Sequence, residues 1–251
     1  MFEHREVIWI LVKKDFKIRY RNSALGFIWS LLNPLAMMGI LTLVFSTLLK
    51  AGIENFPLFL LPALLSWRFF SIATSMSLWS IIGNSSLVTR VYFPRWLLVL
   101  SSNLANLIGS SLEFAALFPL LILLGMRVTY LTFLLPALLA VEFVLIAGVS
   151  LPLAALNVYY RDINQVWDIT LQASFFLCPI IYSLTLIPGR YAFLYSLNPM
   201  TRIIESARKI FYHNTLPTIW DFAIPLLGGL LLLLVGYLIF RRLEPRFAEE
   251  V

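Results

Sequence analysis

Residues 131–156 read LTFLLPALLAVEFVLIAGVSLPLAAL, a long apolar run with a single charged side chain, Glu142. A transmembrane helix needs about 20 mainly apolar residues to cross a hydrocarbon layer about 30 Å thick. A membrane β-strand would instead show alternation over about ten residues. The run therefore predicts a helix that crosses a lipid bilayer.

Five further stretches have the same character, so the chain is predicted to be an all-α membrane protein with six transmembrane helices. The predicted spans cover residues 28–49, 57–82, 96–125, 131–156, 167–187 and 219–240. The composition agrees, because 60% of the residues are apolar and 13% are charged, against about 25% charged in soluble domains. A soluble chain of this kind would expose large apolar patches, so lipid must solvate much of its surface.

The distribution of Lys and Arg near the span ends predicts that both termini lie in the cytoplasm. The inner segments then hold Arg5, Lys13, Lys14, Lys17, Arg19, Arg21, Arg90, Arg95, Arg161, Arg241, Arg242 and Arg246. The outer segments hold Lys50, Arg127, Arg190, Arg202, Arg208 and Lys209. The inner side carries the excess, although the loop between spans five and six is more basic than the rule expects.

The N-terminal segment is too polar to span and predicts an amphipathic helix at the membrane interface. Ile8, Val12 and Phe16 recur every four residues, and Lys13 and Lys17 lie on another face. A basic face suits anionic headgroups or an acidic partner. On this pattern alone, a simple membrane anchor is the favoured interpretation.

The basic loop between spans five and six predicts a short amphipathic helix on or dipping into the outer leaflet. Asn198 is a capping residue, and Pro199 suits the first helical position. From Ile203 to Phe211 the apolar residues share one face, and the charged residues from Arg202 to Lys209 lie elsewhere. Such a helix explains the basic excess without reversing the topology.

Away from the span ends, three charged residues lie inside predicted spans, where a charge is costly unless it is paired or hydrated. Counting from the outer span ends at about 1.5 Å per residue, Arg68, Glu113 and Glu142 reach similar depths of about 16–20 Å. We therefore expect Arg68 to pair with Glu113 or Glu142 as structural neutralisation. The alternative is that one of the three lies at the interface.

Several chemistries find no support in the sequence. A phosphate-binding P-loop requires a Gly-Lys pair, and none of the eleven glycines is followed by Lys. With one cysteine, Cys178, and two distant histidines, His4 and His213, a metal site is not expected. The chain is predicted to be no enzyme and to bind no cofactor itself.

Two cytoplasmic loops, residues 84–95 and 157–163, combine aromatic residues with arginines. This combination is typical of buried interface centres. An aromatic belt with snorkelling arginines at the bilayer surface is the alternative. Composition alone does not separate the two.

An ordered set of motifs covers nearly the whole chain. It comprises DFKIRYRNSALGFIWSLLNP over 15–34, WRFF over 67–70, LVTRVYFPR over 87–95, YRDI over 160–163 and LNPMT over 197–201. In this order the motifs resemble ABC-2 type polysaccharide exporter permeases, the membrane subunits that export O-antigen, capsule and teichoic acid glycans. The resemblance divides the chain into an interface helix and gate loop, 1–26, and a transmembrane domain, 27–251.

The resemblance implies a homodimer in the cell (inner) membrane, paired with two copies of a separate ATPase that binds ATP and Mg²⁺. It also implies that the N-terminal helix and both cytoplasmic loops touch that ATPase, and that Leu25 and Gly26 form a gate for the lipid-linked substrate. The implied coupling residues are Lys13, Lys17, Arg90, Tyr92, Phe93, Arg95, Tyr160, Arg161 and Asp162.

A hydrated glycan offers hydroxyls and apolar ring faces, on which aromatic side chains can stack. The chain holds 20 Phe, 10 Tyr and 7 Trp, most of which must face lipid or the core. The candidates for the pore lining are Trp67, Phe69, Phe70, Phe175, Phe176 and Tyr182.

The expected function is ATP-driven export of a lipid-linked polysaccharide from the cytoplasm, with membrane lipids and no nucleic acid as further partners. An ABC-2 permease for a drug or a lipid is the first alternative. The second is a carrier driven by an ion gradient, which should show inverted repeats and broken helices. No such symmetry is visible in the sequence.

Overall fold

Helices account for nearly all of the regular structure. A computed structural model describes residues 2–20, 26–50, 52–91 and 93–250, and no β-strand occurs among them. The fold is therefore all-α, as predicted. The helices are α1 (Phe2–Tyr20), α2 (Ile28–Thr42), α3 (Phe56–Leu78), α4 (Ser85–Arg90), α5 (Trp96–Leu123), α6 (Leu135–Tyr159), α7 (Ile163–Leu177), α8 (Gly189–Leu197), α9 (Pro199–Phe211), α10 (Ile219–Leu243) and α11 (Phe247–Glu250).

Five helical segments in the described part of the chain are long and apolar enough to cross a membrane. They are Ile28–Leu48, Phe56–Leu78, Trp96–Leu123, Tyr130–Tyr159 and Ile219–Arg246. The first includes a π-helical stretch after α2, and the fourth begins with a 3₁₀ turn before α6. These segments agree with the predicted spans one to four and six.

The fifth predicted span, 167–187, is not one continuous helix in the structure. Its helix, α7, begins earlier and ends at Leu177, so its 15 residues cover only about 22 Å. The break comes at Cys178, whose backbone is extended with ψ of 144°. Pro179 follows it, and a residue before proline is driven out of the helical region. Hydropathy alone does not show this break.

Helix α3 forms the centre of the bundle. It packs against α2, α5, α6, α7 and α9, and most of its residues are buried. By contrast, α2 has one buried residue, Pro34, and α10 has five among its 25 residues. The outer surfaces of α2 and α10 must therefore face lipid or another protein chain.

The two ends of the bundle are distinct. At one end, which we call the α1 end, a cluster of buried residues joins α1 to α4, α11 and the adjacent ends of α5, α6 and α10. Leu11 of α1, Val88 of α4 and Phe247 of α11 belong to this cluster. At the opposite end, the α9 end, α9 packs against the starts of α3 and α10.

Helix α9 is the helix predicted after span five. Its predicted start is confirmed, because the Asn198 side chain accepts hydrogen bonds from the backbone N–H of Met200 and Thr201. The predicted placement of its charged residues is wrong for Arg208, which is fully buried. The reason is that α9 packs into the bundle, where backbone carbonyl groups bind the Arg208 guanidinium.

Candidate functional site

Helix α7 is unusually exposed for a helix of its position. None of its residues is buried, although it packs beside the central helix α3. The Trp167 indole N–H donates to Thr74 Oγ1 over 3.1 Å, and the rings of Phe175 and Trp67 lie 6.0 Å apart. Together with the hydrogen bond between Trp79 and Asn164, these contacts place α7 alongside the second half of α3, from Trp67 to its end.

One face of α7 is polar. Gln165, Asp168 and Gln172 are exposed, and their spacing of three and four residues puts them on one side of the helix. Polar residues at membrane depth almost always face a bundle interior or a water-filled cavity. We call these three residues the α7 polar face, and it is suited to line an aqueous path or to contact another chain. The sequence predicts none of them as a pore residue.

The aromatic candidates for the pore lie in different environments. Trp67, Phe69 and Phe70 are buried in the core, so their rings have no free face in this conformation. Phe176 is 66% exposed and packs edge-on against Phe175, with 5.4 Å between ring centroids. Tyr182 and Phe175 are half-buried. A pore role for Phe176 stays a prediction, and Phe176 is the candidate that offers the most ring surface.

Arg68 connects three helices inside the membrane-spanning region. Its Nε lies 3.8 Å from Oε2 of Glu113 on α5, which confirms the predicted pairing with one of two carboxylates. Its guanidinium also donates to Asn33 Oδ1 over 2.5 Å and to the Ser30 carbonyl over 3.5 Å, both on α2. Glu142 is fully buried on α6, and neither of its carboxylate oxygens has a hydrogen-bond partner among the described residues.

A double-mutant cycle tests the Arg68–Glu113 pair. We expect Arg68→Met and Glu113→Gln to show a coupling of about 0.5–3 kcal/mol in the free energy of unfolding, because each substitution leaves the other group without its ionic partner. Unfolding would be measured for the detergent-solubilised chain. The matched cycle of Arg68→Met with Glu142→Gln should give a coupling near zero. Equal coupling in both cycles would contradict the pairing.

The α1 end carries most of the residues that the resemblance assigns to ATPase contact. The exposed ones are Lys13, Lys17, Arg90, Tyr160, Arg161 and Asp162. α1 is held beside the loop 84–95 by a hydrogen bond from Lys14 Nζ to Asn84 Oδ1. Burial raises the pKa of the adjacent Asp15 carboxyl, and the Lys14 ammonium opposes this shift. The structure thus brings the helix and both loops to one end.

Two of the coupling candidates are already engaged within the chain. The Arg95 guanidinium donates to the Glu244 carbonyl, and its backbone N–H donates to Glu244 Oε1 over 2.8 Å. Phe93 is half-buried against the cluster at the α1 end. Tyr92 and the gate residue Leu25 lie outside the described residues. Gly26 has a φ of +49°, a left-handed conformation that glycine adopts without strain.

The α9 end is held by buried ionic contacts. Arg208 donates to Glu205 Oε1 over 2.7 Å and to the Ile180 carbonyl over 2.6 Å. Asp221, at the start of α10, is 1% exposed and pairs with Arg202 at 3.1 Å and Lys209 at 2.5 Å. These contacts fix α9 to its neighbours at the end opposite α1.

Known proteins resemble this chain over its whole length. The sequence pattern of the ABC-2 type transporter family matches residues 6–212. The O-antigen export system permease protein RfbA of Myxococcus xanthus is 31% identical over 261 aligned positions, covering 100% of this chain and 97% of the relative. RfbA of Klebsiella pneumoniae is 30% identical, covering 97% and 94%. The polysialic acid transport protein KpsM of Escherichia coli is 25% identical, covering 83% and 82%.

The family match extends from α1 to the end of α9. It therefore includes the α7 polar face, the contacts of Arg68 with α2 and α5, and the buried contacts of α9. The similarity to the two RfbA proteins also includes α10. On this evidence the chain belongs to the ABC-2 type transporter family.

Proposed function

We propose that the chain is the membrane permease subunit of an ABC exporter that moves a lipid-linked polysaccharide from the cytoplasm to the outer side of the cell membrane. The observation that carries this proposal is the full-length similarity, at 30–31% identity, to permeases named for O-antigen export. The α7 polar face supports it, because a hydrated glycan needs a polar path through the membrane.

The energy source in this proposal is a separate ATPase subunit. The sequence contains no P-loop, so ATP and Mg²⁺ would bind to the partner. The α1 end offers a docking surface in which Arg90, Tyr160, Arg161 and Asp162 are exposed together with the basic residues of α1. Arginine and tyrosine are enriched where protein interfaces are strongest.

Six crossings, with both termini on the cytoplasmic side, fit the arrangement of the helices. α6 finishes at the α1 end, where α7 begins, and α9 lies at the other end beside the start of α10. This placement supports a crossing of the bundle between α7 and α9. In our proposal α7 and the residues that follow Leu177 make this fifth crossing, although α7 alone is short.

The proposal also requires a homodimer. One copy presents α2 and the α7 polar face to the outside of the bundle, and a single face cannot enclose a hydrated chain. A second copy placed against this face would complete the passage and remove the polar side chains from lipid. α1 and the Gly26 turn would then lie beside the cytoplasmic mouth.

Deletion of the gene in its host tests the proposed function. We expect loss of the surface polysaccharide and accumulation of its lipid-linked form in the cytoplasmic leaflet, with both reversed by the intact gene. Normal surface polysaccharide in the deletion strain would contradict the glycan assignment. If a drug or a lipid is then found to be retained in the cell, the chain is an ABC-2 permease of another substrate class.

Phe176 gives a test of the passage itself. We expect Phe176→Ala to slow polysaccharide export about two- to tenfold, the effect of losing one aromatic contact, without lowering the amount of folded protein. Surface glycan would be measured after induction of its synthesis. Phe133→Ala is the matched control, because Phe133 is 85% exposed but lies in the turn before α6, whose main contacts are with α6 and α9. Equal export by both variants would contradict a pore role for Phe176.

A further inference from the structure

An apolar groove runs between α5, α6 and α10 on the side of the bundle that the proposed passage does not use. It has a volume of about 600 Å³, within the range of about 300–1,000 Å³ found for ligand sites. Leu100 of α5, Ala147 of α6 and Leu234 of α10 are among its lining residues. Leu234 is 59% exposed, so the groove opens towards the lipid.

A second, polar cavity of about 680 Å³ lies directly beyond the groove at the α1 end. Arg95, Arg241 and Glu244 line it. Trp96 and Tyr237 line both cavities, so the two spaces adjoin. Tryptophan and tyrosine are enriched where the hydrocarbon layer meets the headgroups, which fits a site that crosses this boundary.

The charge at the mouth of the groove is positive. The Glu244 carboxylate already accepts a hydrogen bond from the backbone N–H of Arg95. Arg241 is exposed and forms no ion pair or hydrogen bond among the described residues. The cavity thus holds two guanidinium groups and one carboxylate, and Arg241 is free to bind an anion. Guanidinium groups are well suited to phosphate oxygens.

We propose that this groove is a binding site for an anionic glycerophospholipid of the leaflet at the α1 end. An acyl chain lies in the apolar groove between α5, α6 and α10. Its phosphate headgroup lies in the polar cavity and contacts Arg241. Basic pockets between transmembrane helices are known to bind anionic headgroups in this manner. The bound lipid would hold α10, the least buried helix of the three, against α5 and α6.

A phospholipid is favoured over the other possible occupants. The transported lipid-linked substrate would have to pass α2 and the α7 polar face, and no residue of α2, α3 or α7 lines either cavity. If a second copy of the chain packed its own α10 against this face, Arg241 would lack an anion, because the exposed part of α10 beside the groove is apolar. A lipid with one phosphate matches both the apolar groove and its cationic end.

Native mass spectrometry of the full-length chain tests the proposal, with phosphatidylglycerol and phosphatidylcholine of identical acyl chains as probes. We expect phosphatidylglycerol to be retained more strongly. Arg241→Gln should lower this preference about fivefold, the effect of one basic residue near an anionic surface. Leu234→Trp should lower the retention of both lipids, because the indole fills the groove.

Two control variants separate the site from general effects. Arg242→Gln removes a neighbouring exposed cation that does not line the cavity, and Leu231→Trp enlarges an exposed residue of α10 outside the groove. Both should bind lipid as the unmodified chain does, and thermal unfolding would verify that all four variants are folded.

Four outcomes would overturn the proposal. They are equal retention of the two lipids, equal loss of preference in Arg241→Gln and Arg242→Gln, displacement of phosphatidylglycerol by a polyprenyl diphosphate, and a change of oligomeric state in Leu234→Trp alone. The first, second and fourth of these results are independent of whether the chain exports a polysaccharide, and the third would assign the groove to a lipid carrier instead.

Discussion

An Arg208→Met variant is expected to lose most of its folded protein. The Arg208 side chain is fully buried, and its guanidinium lies 3.6 Å from the centre of the Phe59 ring. It donates to the Phe59, Ile180 and Tyr182 carbonyls and to the Glu205 carboxylate. Methionine fills much of the volume but donates no hydrogen bond, so these acceptors lose their partner.

The expected cost is large relative to the stability of a protein. Breaking a buried ion pair by removing one partner costs about 3–5 kcal/mol, and each buried acceptor left unpaired adds to the penalty. Total stabilities are about 5–15 kcal/mol. The measurement is the fraction of detergent-solubilised protein that elutes as a single species, together with its thermal unfolding midpoint.

Arg190→Met is the matched control for this prediction. Arg190 also lies in the segment between α7 and α10, in α8, and it also contacts an aromatic ring, that of Tyr191 at 4.7 Å, but it is exposed. Its replacement should leave the yield and the unfolding midpoint nearly unchanged. If both variants fold equally well, Arg208 does not hold α9 in the bundle. Arg208→Lys should be intermediate, because one ammonium cannot reach the same set of carbonyls.

The contrast between these two arginines shows where sequence information ends. Asn198 and Pro199 define the start of α9, because capping and the missing proline N–H are local properties. The burial of Arg208 is not local. It depends on carbonyl groups of α3 and of the connection after α7, which are distant in sequence, so periodicity identifies a charged position without showing what covers it.

The membrane-spanning segments follow the opposite pattern. The length of an apolar run is a local property, so five spans are predicted within a few residues. Depth counting along those spans also brings Arg68 and Glu113 together. The partners of Arg68 on α2, Ser30 and Asn33, are not predicted, because they depend on how α2 and α3 are rotated about their axes. The polar face of α7 is missed for a similar reason, since hydropathy averages over all sides of a helix.

A Gly148→Leu variant is expected to separate α6 from α10 and to prevent stable folding. The two helices approach so closely that a Cβ atom at position 148 would lie 2.7 Å from the Leu233 backbone nitrogen and 2.8 Å from the Gly229 carbonyl oxygen. The contact is reciprocal, because a Cβ atom at Gly229 would lie 2.9 Å from the Leu145 nitrogen. Small residues allow such backbone contact between membrane helices.

The size of the effect follows from what would have to move. Side chains can rotate away from an added atom, but the atoms nearest to position 148 include the α10 backbone, so the helix as a whole must shift. Even Gly148→Ala should cost about 1–3 kcal/mol through overpacking, although alanine is the better helix former by about 1 kcal/mol. Leucine adds three further carbon atoms in the same space and should be worse.

Gly39 on α2 provides the control, because no atom lies within 4 Å of a Cβ atom built there. Gly39→Ala should leave the unfolding midpoint unchanged or raise it slightly, whereas Gly148→Ala should lower it and Gly148→Leu should yield little folded protein. Equal behaviour of the two alanine variants would show that α6 and α10 can separate at little cost. In that case α10 could move relative to α6, and the apolar groove beside them would change shape. Lipid binding in the groove would then have to be measured in a chain whose α10 is free to move.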